Sequence, residues 1–327
     1  MQIRGLKYLV TGGSGFIGAG VVKRLLAEGA GVRVLDDNSR GAPRRLEEVR
    51  DRIEVIDGDV RDPRAVLEAA RDVDVVCHLA FVNGTEFFYA KPELVLEVGV
   101  KGMVNALDAC RAHGIRRFIL ASSSEVYQTP PVIPTPENVP LIVPDPLNPR
   151  YSYGGGKIIS ELMAINYGRV LFDELYIFRP HNVFGPDMGW EHVIPQFALR
   201  LDKQSREQPS GVLRFPVQGN GTETRAFIYL DDFIDGFVSM LGGDPGVYHI
   251  GNDQEISIGQ LVSSVARCFG REVELEPGPL QAGSTHRRCP DITKLRRLGF
   301  APKVSLEAAL EKTIAWYRSH AGQAPTR

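Results

Sequence analysis

Cysteine is scarce in this chain of 327 residues: Cys77, Cys110, Cys268 and Cys289 are scattered, and no two form a CxxC pair. That removes the sequence signature of a zinc ribbon or a dithiol redox site and offers no disulfide framework, so the four read as small core residues or free thiols, with no metal expected. Charge of one sign is also missing. The 38 Lys and Arg against 40 Asp and Glu leave a formal charge of −2, which gives no basic face for nucleic acid. No apolar run approaches the roughly 20 residues of a membrane span, and the N-terminus lacks a signal-peptide profile, so a cytoplasmic protein without membrane attachment is expected. No repeat of fixed period is found. What is present is 43% hydrophobic residues, enough for one large core or two joined lobes.

The apolar run Lys7 to Val10 opens into Thr11-Gly12-Gly13-Ser14-Gly15-Phe16-Ile17-Gly18, followed by helical spacing at Val21, Val22, Leu25 and Leu26. This pattern predicts a strand, a tight turn and a helix, with glycines that let backbone N–H groups approach a pyrophosphate at a positive helix end. A second strand, Val32 to Leu35, ends in Asp36, eighteen residues past Gly18, where a carboxylate can accept hydrogen bonds from a ribose diol. Asp36 and Asp37 would repel a 2′-phosphate, which favours NAD over NADP even with Arg33 and Arg40 nearby.

A second constellation says what the nucleotide is for. Ser122-Ser123-Ser124-Glu125-Val126-Tyr127 follows an apolar strand, and Tyr153-Gly154-Gly155-Gly156-Lys157 lies downstream. A hydroxyl at a strand end, with a tyrosine and a lysine four apart on one helix face, can move a proton off a carbinol while its hydride leaves.

Strand and helix patterns alternate along the chain, as a parallel sheet covered on both faces requires. Strands are expected at Tyr8 to Val10, Val32 to Leu35, Ile53 to Ile56, Val73 to Leu79, Phe118 to Ala121 and Leu175 to Phe178, and long helices at Pro92 to His113 and Tyr153 to Val170. The run Val73 to Ala80 is nearly continuous in apolar residues, as a strand buried on both faces should be. Within it, His78 reads as a satisfied core histidine. Past Gly185-Pro186 come short strands at Val212 to Phe215, Phe227 to Leu230 and Val247 to Ile250, with helices starting near Asp231, Ser257 and Ser305. The expectation is an α/β fold of Rossmann type, a doubly wound parallel sheet over residues 1–185, with a smaller α/β substrate lobe over 186–327. Between the two key motifs, Gln128 to Arg150 carries eight prolines. It can be neither helix nor central strand, and it reads as a stiff connection or a site loop that sets Arg150 and Tyr153.

With these residues in place, the chain resembles the extended short-chain dehydrogenase/reductases that act on nucleotide sugars. The carriers of the resemblance run from about Lys7 to Tyr317: TGGSGFIG at 11–18, the acid at 36, GDVRD at 58–62, HLA at 78–80, SSSEVY at 122–127, YGGGK at 153–157, RPHNVFGP at 179–186, GNGTETRAFIYLDD at 219–232 and RRCPDITKLRRLGF at 287–300. The resemblance implies that Gly12, Gly15, Phe16, Ile17 and Gly18 surround the pyrophosphate of NAD, with Asp36 on the ribose and Asp59 and Val60 at the adenine. Leu79 and Ala80 would line the cofactor cleft. It implies Ser123 and Tyr153 as catalytic residues, Tyr153 being the acid/base, and Lys157 on the nicotinamide ribose, lowering the tyrosine pKa. Asn182, Arg225 and Arg288 would hold a nucleotide-diphosphate sugar. His181, in place of an aromatic or apolar residue, is a candidate for substrate contact. A homodimer through the two long helices is implied too.

Departures accompany the match. Gly99 stands where an asparagine is usual, and Phe81 to Phe88 has no familiar wording. The three glycines at 154–156 cost a helix about 3 kcal/mol relative to alanine, so something must offset them. The resemblance leaves several reactions open. A 4-epimerase needs only room for a 4-keto sugar to turn. Decarboxylases of nucleotide-linked glucuronic acid carry Ser124 and Glu125 and an arginine at the place of Arg150. A 4,6-dehydratase would carry an acid in place of Ser124. The leading expectation is an epimerase acting at C4, and a non-catalytic NAD-binding sensor of the same fold is the alternative outside enzymology.

Overall fold

The computed structural model describes residues 1–280, 283 and 285–324. In chain order the first half contains β1 (Lys7–Thr11), α1 (Phe16–Ala27), β2 (Gly31–Asp36), β3 (Glu54–Asp57), α2 (Pro63–Ala69), β4 (Val75–His78), α3 (Thr85–Ala90), α4 (Pro92–Leu96), α5 (Gly102–His113), β5 (Arg117–Ala121), α6 (Ser152–Leu171) and β6 (Glu174–Pro180). The second half adds β7 (Val183–Phe184), α7 (Val193–Glu207), β8 (Leu213–Gln218), β9 (Thr224–Ala226), β10 (Ile228–Tyr229), α8 (Leu230–Leu241), β11 (Gly246–Ile250), β12 (Glu255–Ser257), α9 (Ile258–Arg267), β13 (Val273–Gly278), β14 (Arg287–Arg288), α10 (Thr293–Arg296) and α11 (Leu306–Ser319).

Seven strands form one sheet in the order β11-β6-β5-β4-β1-β2-β3. All its pairings are parallel, with Tyr8 opposite both Val32 and Val75. The run of strands is continuously apolar because successive side chains serve two cores. Tyr8, Val10, Val34 and Cys77 pack with α1 and α8 on one face, while Leu9, Val76, Phe118 and Leu120 pack with α5 on the other. Burying each such aliphatic side chain contributes about 1.5–3 kcal/mol. Strand order reverses between β1 and β4, and a doubly wound sheet opens its ligand crevice at such a switch point, beyond the C-terminal strand ends.

Residues 230–250, expected in the second lobe, return as α8 and β11 to cover and extend the sheet. The lobe proper is built on a third core, in which α7, α9 and α11 enclose Phe197, Phe215, Leu261 and Leu310. Two of its helices begin where the sequence puts caps: Ser257 and Gln260 form a reciprocal capping box on α9, and Ser305 caps α11. The expected helix Pro92 to His113 is interrupted. Between α4 and α5, residues Glu97–Lys101 form a π-helical turn centred on Gly99. The four cysteines are unpaired, Cys77, Cys110 and Cys289 being buried.

Candidate active site

The crevice at the switch point is shaped by glycine. Gly12 ends β1 at φ +72°, and a Cβ there would lie 2.7 Å from the Ala80 amide nitrogen at the exit of β4. A Cβ on Gly18, in the first turn of α1, would run into the Gly12 carbonyl. Only side-chain-free residues let the two strand exits and the helix start close to this distance, which leaves the α1 N-terminus facing the crevice. Asp36, at the end of β2, is buried and accepts from the Ser14 and Asn38 amides, each at 2.9 Å. This fixes the carboxylate beside the glycine turn. A cavity of about 700 Å³ runs from there past Asp59 and Val60, past Leu79 and Ala80, to Ser123, Ser124, Glu125, Tyr153 and Lys157. An extended dinucleotide with a sugar at its end fits that sequence of glycine cradle, acid and hydroxyl cluster.

At the far end, β5 delivers the serines and α6 delivers the tyrosine and lysine. The Ser123 hydroxyl accepts from the Glu125 amide at 3.1 Å, capping a single 3₁₀ turn over Ser124–Val126. Tyr153 is buried between Phe88, stacked at 4.9 Å between centroids, and Phe81, which meets it edge-on at 5.1 Å. The lowering expected for its pKa is not what these neighbours impose. Burial raises the phenol above its ordinary range, Glu125 adds to the rise, and the Ser123 hydroxyl opposes it. Lys157 is buried with its Nζ donating to the Ala121 carbonyl at 2.7 Å, and burial lowers its pKa to about 7 against an opposing pull from Glu161.

The three glycines of α6 find their compensation inside the chain. A Cβ on Gly154 would lie 2.8 Å from the Glu125 carbonyl oxygen, and one on Gly156 would lie 3.0 Å from the Phe81 ring, whereas Gly155 meets only Val143 at 3.5 Å. The helix therefore presses against the Ser124–Val126 turn, bringing Tyr153 to the serines.

Glu125 lies among cations. Its Oε1 accepts from Arg288 at 2.5 Å, and Arg150 stands 3.7 Å from Oε2. Burial pushes this carboxyl up, but Arg288 and Arg150 more than offset it and hold it below the usual range. Arg288 also donates to Thr285 at 3.1 Å, and its buried Nε has no partner among the described residues. The remaining expected substrate residues are distributed unevenly. Asn182, at φ +44°, lines the cavity and donates to the Ala226 carbonyl at 2.8 Å. Arg225 and Arg150 lie outside the cavity wall, Arg225 donating to the Thr285 carbonyl at 2.6 Å and Arg150 to the Gly283 carbonyl at 3.2 Å. His181 is fully buried behind the wall, edge-on to His249 with 4.8 Å between centroids, and does not reach the cavity. The contacts of Phe81 and Phe88 with Tyr153 could not be read from the sequence, because they are made across space.

Behind the serines runs a buried polar column. Ser122 donates to Glu161, and Arg179 donates to both Glu161 oxygens, at 2.8 Å and 2.6 Å. Arg179 also donates to the Tyr127 hydroxyl, which meets His249 Nε2 at 2.6 Å, linking α6, β6 and β11.

Comparison with known proteins agrees with this geometry. The model of the NAD dependent epimerase/dehydratase family matches residues 8–251. A UDP-glucose 4-epimerase of Mycolicibacterium smegmatis is 33% identical, the match covering 96% of this chain and 99% of that protein. UDP-glucuronic acid decarboxylase 1 of Arabidopsis thaliana is 31% identical over 96% of this chain and 70% of that protein. The crystal structure of a dTDP-glucose 4,6-dehydratase from Streptomyces venezuelae, solved with NAD bound, superposes with a TM-score of 0.84 at 29% identity, over 97% of this chain and 98% of that one. The chain is an enzyme of the NAD-dependent epimerase/dehydratase family, with NAD as its cofactor.

Proposed function

We propose that the protein is a nucleotide-sugar 4-epimerase in which Tyr153 is the acid/base. NAD, when bound, supplies the acceptor and donor of a hydride. The chain's own residues handle the proton: Tyr153 takes it from the C4 hydroxyl as that carbon becomes a ketone and returns it to the ketone oxygen after the sugar has turned. Ser123 orients the same oxygen, and Lys157 keeps positive charge beside the phenol, which favours the phenolate that a base at neutral pH must be. Gly12, Gly15, Phe16, Ile17 and Gly18 hold the pyrophosphate of the cofactor, Asp36 the ribose, and Asp59 and Val60 the adenine end. Asn182 and Arg288 receive the substrate, the unpartnered Arg288 Nε being a donor for an anionic oxygen. The observation that carries the reading is the convergence of Ser123, Tyr153 and Lys157 at one end of the cavity that starts at the Gly12 cradle.

A second reading rests on the cluster of Glu125, Arg288 and Arg150. Arg288, on the cavity wall, would suit a C6 carboxylate, with Arg150 behind Glu125, and the chain would then be a decarboxylase of a nucleotide-linked uronic acid. One experiment separates the two: incubation with UDP-, dTDP-, GDP- and CDP-sugars, uronic acids included, read by the anomeric proton signals and by carbon dioxide release. The epimerase reading expects interconversion of C4 epimers without carbon dioxide or net NADH, and a Tyr153→Phe variant slowed by roughly 10²–10⁴-fold. Stoichiometric carbon dioxide would overturn it in favour of the decarboxylase. We also infer a homodimer, since the outer faces of α5 and α6 expose Val104, Ile159, Leu162 and Val170, the last two 56% and 78% accessible.

A further inference from the structure

The residue at 99 and the segment after β4 are two of the places where the sequence departs from the family's usual wording, and in the fold they touch. A Cβ on Gly99 would clash with the Cζ end of the Phe81 ring, and one on Gly156 would lie 3.0 Å from the same Cζ. Two glycines from different helical segments thus make the slot that one aromatic ring fills. The face of that ring is turned to Lys157, whose Nζ sits 4.0 Å from the centroid, and its geometry with Tyr153 is edge-on.

We propose that Phe81 is a positioning residue for Lys157: its ring, admitted by Gly99 and Gly156, holds the ammonium over an aromatic face within reach of the Ala121 carbonyl while bracing Tyr153. This rests on Tyr153 and Lys157 acting as proposed above. The physical need is plain. Lys157 is 3% exposed, and among the described residues its one hydrogen bond is to a neutral carbonyl, so two of its three donors lack a hydrogen-bonded acceptor there. A desolvated ammonium gains most from the negative face of a ring, because no water competes for it. The titratable groups that face it are Tyr153 and Glu161 on its own helix and His78 on β4, with Glu125 facing Tyr153 from the neighbouring turn. Glu161 is bonded by Arg179 and Ser122 instead, and burial keeps His78 neutral near pH 7. Beside the Ala121 carbonyl, the Phe81 ring is therefore an uncharged group that favours the charged lysine.

The test uses the full chain with Lys157 observed by NMR of ¹³C-labelled lysine, its signal assigned by loss in Lys157→Ala. In the wild type the ε-methylene protons should be displaced upfield by the ring current. In Phe81→Leu that displacement should vanish, the lysine should titrate at lower pH, and kcat should fall about tenfold with KM and NAD affinity within twofold, the alkaline limb of the kcat profile moving down by about one pH unit. Gly99→Ala, which retains Phe81 but displaces its ring, should reproduce the Leu phenotype, so the outcome does not depend on a cavity left at residue 81. An unshifted lysine signal in the wild type, or a Leu variant with unchanged titration and profile, would overturn the proposal. A Tyr153→Phe variant that kept its turnover would refute the reaction assigned to the site, while the lysine spectrum would still decide the Phe81 contact.

Discussion

Two histidines show how much a single residue's setting decides. His78 is buried on β4 with Nδ1 2.8 Å from the Thr11 hydroxyl, and burial, then Lys157, pushes its pKa down to about 3. His249 is enclosed between Tyr127 and the Asp291 carbonyl, and burial likewise lowers it to about 3. Above pH 6.5 both are neutral whether the chain is folded or not. As pH falls below that value the unfolded chain binds protons that the folded chain refuses until near pH 3, so stability declines through this window. The melting temperature should fall measurably between pH 6.5 and 5, before most carboxylates titrate, and His249→Gln should give a shallower slope whatever its melting temperature at pH 7. An equal slope would mean that His249 is charged in the fold. His78 is only half satisfied, Nδ1 meeting Thr11 and its buried Nε2 having no partner among the described residues, but its core placement could be read from its apolar strand. The position of His181 could not: it follows the end of β6, where the chain turns into Asn182 at positive φ, and no periodicity says which way a side chain points there.

The elements were legible wherever one face repeats. The strands of the sheet, the start of α1 after TGGSGFIG and the Tyr153–Lys157 face of α6 follow from periodicity and glycine chemistry alone. The π-helical turn at Gly99 and the short α3 over Thr85–Ala90 did not, because each depends on a partner distant in sequence, the Phe81 ring in one case and Tyr153 in the other. The glycine triplet of α6 lets that dependence be measured. Gly154→Ala would force a methyl against the Glu125 carbonyl and the Gln128 amide and should destabilise the protein by about 1–3 kcal/mol, moving the serine turn as it does so. Gly155→Ala meets open packing at 3.5 Å and should stabilise it by up to about 1 kcal/mol. Urea unfolding of the two variants checks the sign; equal effects would refute the division of labour between adjacent glycines.

At the scale of the whole molecule, the apolar outer faces of α5 and α6 predict two chains in one particle. Sedimentation should return twice the chain mass, and Leu162→Glu with Val170→Glu should shift it toward one; a wild-type particle of single-chain mass would remove the interface. That surface was visible in sequence only by family likeness, since exposure follows from the way α6 lies on the sheet. The column from Ser122 through Glu161, Arg179 and Tyr127 to His249 has another consequence, one for ancestry. Removing either Glu161 or Arg179 leaves the other as a buried unpaired charge, at a cost of about 3–5 kcal/mol, against a total stability of roughly 5–15 kcal/mol for a typical domain. Replacing all of its members together by well-packed apolar residues can be nearly neutral. Neutral drift proceeds one codon at a time and meets a valley at its first step here, so descendants of this chain should keep Glu161 and Arg179 together or have crossed to a different core altogether.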